Sequence, residues 1–235
     1  MIAAFANPAR FMAMSRWLAP LLGAIAAVLL AVGVWLAFLA PDDYQQGATV
    51  RIMFVHVPAA WMASFVYACI GGASFFGLVF RHSLADAAAK AAAPLGAGFT
   101  ALALATGSLW GRPMWGTWWV WDARLTSVVV LLLLYLGYMA VHAAIDDEQK
   151  AARAASILAL IGLVNLPIIF YSVEWWNSLH QGESVVSGKL APVYLAPLLI
   201  MGLAYMVLFG ALWLVRIRTE VWRRRAGALA LAAAA

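Results

Sequence analysis

The stretch LAPLLGAIAAVLLAVGVWLAFL, residues 18–39, contains no charged side chain. As a helix it is long enough to cross the hydrocarbon core of a bilayer, which takes about 20 residues. Runs of the same character recur near 57–80, 91–109, 127–145, 153–172 and 191–215. Of 235 residues, 66% are hydrophobic and only 11% charged, and the mean hydropathy is +0.91. Such a chain is too apolar for water, which predicts an all-α integral membrane protein of six transmembrane helices. It forms one polytopic domain over 1–235 with no room for a soluble one. The first run exceeds a signal-peptide core and is followed by no A-x-A cleavage site, so it reads as a retained helix.

Lysine and arginine gather on the cytoplasmic side of membrane proteins. With both termini inside, Arg10, Arg16, Arg81, Lys90, Lys150, Arg153 and the five arginines of a basic tail, 216–235, face the cytoplasm. Only Arg51, Arg112, Arg124 and Lys189 then face outward. The opposite orientation would invert this asymmetry. The net charge of +5 is therefore an orientation signal, with lipid rather than nucleic acid as its partner. The ArgArgArg run at 223–225 reads as solvated, and the alanine-rich end beyond it as frayed. Lone Cys69 lies among Ala, Ile and Gly and reads as filler. No C-x-x-C-H motif is present for covalent haem attachment. Pro41 terminates the first helix, Pro58 suits the first turn of the second, and Asn165 is a bond within the bundle.

Three outer segments remain: 41–56, 110–126 between the third and fourth helices, and 173–190. WGTWWVWD, 115–122, packs four tryptophans into eight positions. An aromatic belt at the headgroup level is the plain account, but a belt needs a ring or two per helix end and appears at both interfaces. On helical spacing Trp115, Trp118, Trp119 and Asp122 share a face, with Trp121 pointing elsewhere, and such a flat apolar surface suits a wide planar ligand. Gly111, Pro113 and Gly116 predict that the part before it turns rather than continues a helix. Of four histidines, His82 and His142 fall at cytoplasmic helix ends, whereas His56, just before the second helix, and His180 fall outside. Two neutral imidazoles on the face of a tryptophan platform suit the axial positions of haem iron. Trp176 and His180 form an i, i+4 pair if that stretch is helical. Arg51, Arg112 and Arg124 persist where the orientation rule disfavours them, and a guanidinium fork matches a haem propionate. Snorkelling, or an ion pair to Asp42, Asp43, Asp122 or Glu183, is the competing account for each. Asp122 pairs with Arg124 or caps a local turn, capping being the simpler role.

The segment WGRPMWGTWWVWDARLTS, 110–127, resembles the tryptophan-rich "WWD" segment of haem-handling membrane proteins. Its WDARLTS ending is similar to the haem exporter protein C (CcmC) family of cytochrome c maturation, as are VRIMFVHVPAAWM at 50–62 and YSVEWWNSLHQGES at 171–184. Arg112 stands where lysine would also be expected. The larger synthetase-type relatives carry many more helices and a WDPKE-like ending. The resemblance implies a haem-transfer protein rather than an enzyme, in the bacterial inner membrane, binding haem b transiently on the periplasmic face. It implies His56 and His180 as iron ligands against the WWD platform, beside which the residues themselves offer Trp176, Asp122 and the three arginines. It further implies delivery to the haem chaperone CcmE, with the ABC-type subunits CcmA and CcmB and the small protein CcmD as partners. A bis-histidine electron-transfer cytochrome and a permease subunit of an ABC-type exporter are the alternatives.

The charge asymmetry generates the first test. A thiol reagent applied from the outer side of intact cells should label Met114→Cys and miss Ala226→Cys in a chain whose Cys69 is replaced. The reverse labelling pattern overturns the orientation.

Overall fold

The computed structural model describes residues 7–176, 178, 180 and 190–234. It contains α1 (Pro8–Leu39), α2 (Met53–Phe80), α3 (Ser83–Trp115), α4 (Ala123–Ala144), α5 (Glu148–Gly162), α6 (Asn165–Trp175) and α7 (Pro192–Ala234), with a 3-10 turn, Ala48–Ile52, leading into α2. Among the described residues, six stretches are long and apolar enough to span a membrane, α5 and α6 together forming one of them. The chain is a multi-pass membrane protein, as its apolar runs predict.

Each helix end has a local cause. Asn7 accepts the Ala9 N–H and Pro8 occupies the first turn of α1, where its missing N–H costs nothing. Ala40 and Pro41 end that helix in extended backbone. The His82 ring accepts the Ala85 N–H at 3.1 Å to start α3, and Asp147 caps α5 through Gln149 and Lys150. The break between α5 and α6 follows from Pro167, which has no N–H for the Leu163 carbonyl and whose ring crowds it. The chain answers with tighter bonds, Leu163 N–H to Leu160 O, Val164 N–H to Ile161 O and Leu166 N–H to Leu163 O. Asn165 donates its side-chain amide to Ser127 O at 2.9 Å, tying the break to α4 in the role its sequence context predicts.

Three boundaries differ from the apolar runs. Helix α2 begins at Met53, so Pro58 lies beyond the first turn and His56 lies within the helix rather than before it. The 3-10 turn carries the chain into α2, and buried Phe54 and Pro58 hold it inside the bundle. Helix α3 continues through Gly111 and Pro113 to Trp115. Helix α7 continues through the basic tail to Ala234 instead of fraying, as befits alanine, the strongest helix former.

In lipid, helices associate through close packing rather than through the hydrophobic effect. The core is therefore made of aromatic rings seated on glycines. A Cβ on Gly96 would lie 2.2 Å from the Tyr135 ring, and one on Gly162 would lie 2.0 Å from the Tyr67 hydroxyl. Tyr135 is fully buried, donates to Ala63 O at 2.8 Å and meets Tyr67 edge to face. Helix α1 leans chiefly on α7, with Gly33 against Met201, and presents Trp17, Val28, Trp35 and Phe38 outward. At one end of the bundle Glu220 of α7 binds Lys90 of α3, Arg223 and Arg224, while Glu148 of α5 joins Arg223 and Arg224. Arg223 and Arg224 are thus bonded parts of the bundle rather than a solvated run.

Gly96→Val should destabilise the folded protein by about 1–3 kcal/mol, because the Tyr135 ring is anchored and cannot retreat. Tyr135→Phe, which removes the hydroxyl's bond to the Ala63 carbonyl, should cost about 1 kcal/mol. Thermal unfolding in detergent reads both. If Gly96→Val together with Tyr135→Ala is no more stable than Gly96→Val plus the separate cost of Tyr135→Ala, the two residues are not coupled and this packing account fails.

Candidate functional site

The start of α2, the end of α3, the start of α4 and the segment after α6 meet at the end of the bundle opposite the ion cluster. His56 is set against α3. Its Nδ1 lies 3.0 Å from Ala103 O and 3.1 Å from Thr106 Oγ1. The Thr106 hydroxyl donates to Leu102 O at 2.6 Å, so toward His56 it accepts. Both partners therefore require a proton on Nδ1, which leaves the lone pair on Nε2. Gly107 permits this approach, since a Cβ there would lie 2.9 Å from His56 Cε1. One turn further along α3, Trp110 meets the His56 ring edge to face at 5.7 Å and donates its indole N–H to Gln46 Oε1 at 3.0 Å.

His180 has a different seat. Asp122 caps α4 by accepting the Leu125 N–H on Oδ1 at 2.7 Å. Its other oxygen faces His180 Nδ1 at 3.4 Å and accepts the Ser178 hydroxyl. Ser178 Oγ in turn accepts the His180 backbone N–H at 3.1 Å. A carboxylate opposite Nδ1 again leaves Nε2 as the lone-pair nitrogen, the arrangement that orients imidazoles toward metals. Trp115 packs edge to face on the His180 ring at 5.0 Å.

Burial pushes the Asp122 carboxyl up, but the Ser178 hydroxyl, the Leu125 N–H and His180 outweigh it and hold it below the usual carboxylate range. The ionised cap is therefore fully present above that range and is lost as pH falls through the depressed value. Burial lowers the His180 imidazole below its ordinary value, Asp122 opposes the shift and Arg124 adds to it. The ring is neutral at pH 7 and able to act as a donor atom.

The tryptophan segment is not the amphipathic helix that its spacing predicts. Gly116 takes a left-handed φ of 75° and its N–H bonds back to Arg112 O, ending α3. Gly111 supports the longer helix, because a Cβ there would meet the Trp115 ring at 3.0 Å. Residues 116–122 run irregularly to the Asp122 cap, so Trp115, Trp118, Trp119 and Asp122 do not share a helical face. Ser108 Oγ donates to Trp118 O, and Thr117 Oγ1 to Trp119 O. Trp118 and Trp121 are exposed, Trp119 lies edge-on to Trp121 at 5.4 Å, and the buried Trp119 indole N–H has no acceptor among the described residues.

The arginines are distributed as well. Arg112 donates to Gly116 O and lies over the Trp118 ring at 5.7 Å. Arg124 donates to Ser172 Oγ at 3.2 Å and Phe170 O at 3.1 Å, joining α4 to α6. Arg51 pairs with Asp42 at 2.9 Å and donates to Ala40 O. Trp176 packs on Trp175 at 5.7 Å rather than beside His180, because α6 ends at Trp175. His82 is a helix cap, and His142 packs on Tyr138 of its own helix. Glu183 and Lys189, two further outer-segment candidates, lie outside the described residues. Thr106, Ala103, Gly107 and Ser178 escape a reading of the sequence, since each acts on a histidine or carboxylate brought to it by the fold. The cue available was the small, polar ThrGlySer run, 106–108, closing an otherwise apolar helix.

A family profile described as Heme exporter protein C matches residues 1–232. The chain is similar to "Heme exporter protein C" of Bradyrhizobium diazoefficiens, 57% identical over 227 residues, covering 95% of this chain and 86% of that protein. It is 50% identical over 217 residues to the protein of that name from Escherichia coli strain K12, covering 92% and 89%. It is 46% identical over 229 residues to the one from Paracoccus denitrificans, covering 96% and 95%.

Asp122→Ala should remove the cap of α4 and cost about 0.5–2 kcal/mol. Asp122→Asn, an equally good cap, should recover most of that stability without restoring the charge facing His180. Thermal unfolding of the two variants decides the matter, and an Asn variant as unstable as the Ala variant would show that the cap is not what Asp122 supplies.

Proposed function

The chain belongs to the Heme exporter protein C family, and from that premise we propose that it holds haem at the tryptophan-rich end of its bundle, with His56 and His180 as axial iron ligands. The observation that carries this reading is the matched state of the two rings. Each has its Nδ1 directed at a protein acceptor, Ala103 O and Thr106 for His56 and Asp122 for His180, and each keeps Nε2 for a ligand. Two neutral imidazoles are a suitable pair for haem iron.

The surrounding residues fit a porphyrin. Trp115, Trp118, Trp119 and Trp121 supply flat apolar surface, and Trp176 adds a further exposed indole. The Trp119 indole N–H offers a buried donor to an incoming acceptor. Arg112, exposed above Trp118, and Arg124, beside Ser172, are the guanidinium groups suited to propionates. Arg51, the third outer arginine, is already paired with Asp42.

In this reading haem b is cargo. The protein supplies axial ligation, orientation and shielding, makes no covalent bond itself, and passes the haem to the chaperone CcmE. CcmA and CcmB as ABC-type subunits and CcmD complete the assembly. The protein lies in the bacterial inner membrane with both termini cytoplasmic and the haem site periplasmic, which puts its ion cluster on the basic, cytoplasmic side. A permanently held bis-histidine cytochrome is the second reading. The location of His56 inside α2 favours it, since such proteins place their ligands within helices. The seat of His180 favours release, because that ring is held by one side-chain carboxylate outside the helices.

His56→Ala and His180→Ala should each abolish the six-coordinate spectrum of haem bound to the purified protein, whereas His82→Ala and His142→Ala should keep it. Unchanged spectra in both of the first two variants overturn the ligation. Wild-type haem that stays bound in the presence of excess apo-chaperone supports the cytochrome instead.

A further inference from the structure

At the tryptophan-rich end, α1 and α2 both lean on α7 and scarcely touch one another. Between them lies a cleft of about 130 Å³, with Val34, Ala37 and Phe38 on the α1 side, Phe54 and Val55 on the α2 side and Met201 of α7 among its lining residues. It is almost wholly apolar, except that Arg51 lines it too. Two of the three guanidinium nitrogens of Arg51 are engaged, Nη1 with Asp42 at 2.9 Å and Nη2 with Ala40 O at 3.0 Å. The third, Nε, is buried and has no acceptor among the described residues. The charge is therefore matched while one donor is not, and a buried N–H left unmet costs its full desolvation.

An occupant of this cleft needs a narrow apolar body and an acceptor at one end. A helix, roughly 10–12 Å across with its side chains, is too wide for it. An acyl chain is not. Trp35 and Phe38 are exposed on the same part of α1, and indoles mark the headgroup level of a bilayer. The cleft thus opens where a lipid's chain meets its polar head. We propose that a phospholipid from the leaflet at this end is a resident ligand, one acyl chain lying between α1 and α2 and a phosphate or ester oxygen accepting the Arg51 Nε–H. Such a lipid fills the gap that helix packing leaves and supports α1 from the side that α7 does not reach. The assignment stands on the cleft and on Arg51, independently of the haem site.

The full chain reconstituted in vesicles of phosphatidylethanolamine and phosphatidylglycerol, re-extracted in mild detergent and freed of bulk lipid, provides the test. Native mass spectrometry should find one phospholipid retained by the wild type. Ala37→Phe, which fills the cleft, should lower that occupancy at least about tenfold. Arg51→Lys keeps the cation for Asp42 but has no donor at the Nε position, and should lower it similarly. Val28→Phe, on the exposed surface of α1, should retain the lipid. Variants are compared as monodisperse protein, and Arg51→Lys decides if Ala37→Phe does not fold. Wild type that retains no phospholipid overturns the proposal, as does lipid retained at wild-type level by whichever cleft variants fold. Displacement of the lipid by equimolar hemin also overturns it, because the cleft would then belong to the haem path.

Discussion

Hydrocarbon offers no partner to a peptide group, and the fold is organised around that constraint. At four helix starts and at the break between α5 and α6, a side chain or a tightened turn takes up exposed backbone groups. Asn7, His82, Asp122 and Asp147 do so at starts of helices. At the break between α5 and α6, 3-10 bonds and the Asn165 amide do so where Pro167 forbids a continuous helix. The same rule confines irregular backbone to the ends of the bundle, and the candidate site is built from one of those ends.

Asp122 shows how a structural demand and a chemical one can share a side chain. One oxygen is required by α4 as a cap, which fixes the carboxylate in place. The other, held by the same rigid group, can then serve Ser178 and His180 at little further entropic cost. His56 obtains the same result from backbone, through a carbonyl in the middle of α3 and a threonine hydroxyl already committed to its own helix. One imidazole is thus positioned by a helix face and the other by a helix cap.

Much of this was legible in the sequence. The six spans follow from length and hydropathy, and the gathering of His56, His180 and the tryptophan segment at one end of the bundle follows from their place in the order of helices. The cap at Asp122 was legible as the simpler of two roles, the other being a pair with Arg124, because an aspartate directly before an apolar helical run suits an N-cap. The path of the chain through 110–122 was not. Gly111, Pro113 and Gly116 all read as turn formers, yet of these Gly116 makes the turn, in the left-handed region, whereas Gly111 lets the Trp115 ring fold back on its own helix. Thr106 was invisible because it lies 50 residues from the histidine it meets. For Arg51 and Arg124 the sequence left a propionate and an ion pair both open, and tertiary contact pairs Arg51 with Asp42, one of the carboxylates named, and joins Arg124 to α6. Local pattern carries the elements, whereas the partners of polar groups come from elements far apart in the chain.

Helix α3 also acts as a ruler. Lys90, in the ion cluster, and Trp110, on the His56 ring, are separated by 20 residues of continuous helix, or about 30 Å. That equals the thickness of a typical hydrocarbon core. Sliding the protein by one turn along the membrane normal would draw a charged cluster into oil at one end or lift an indole from its preferred level at the other. The vertical register of the bundle is therefore fixed at both borders. Ala103 and Thr106, which hold His56, lie seven and four residues closer to the charged end than Trp110, or roughly 6–10 Å beneath that border. In a bilayer bordered at those two levels, the imidazole would sit below the headgroups and short of the midplane, its depth set by charges at the other border.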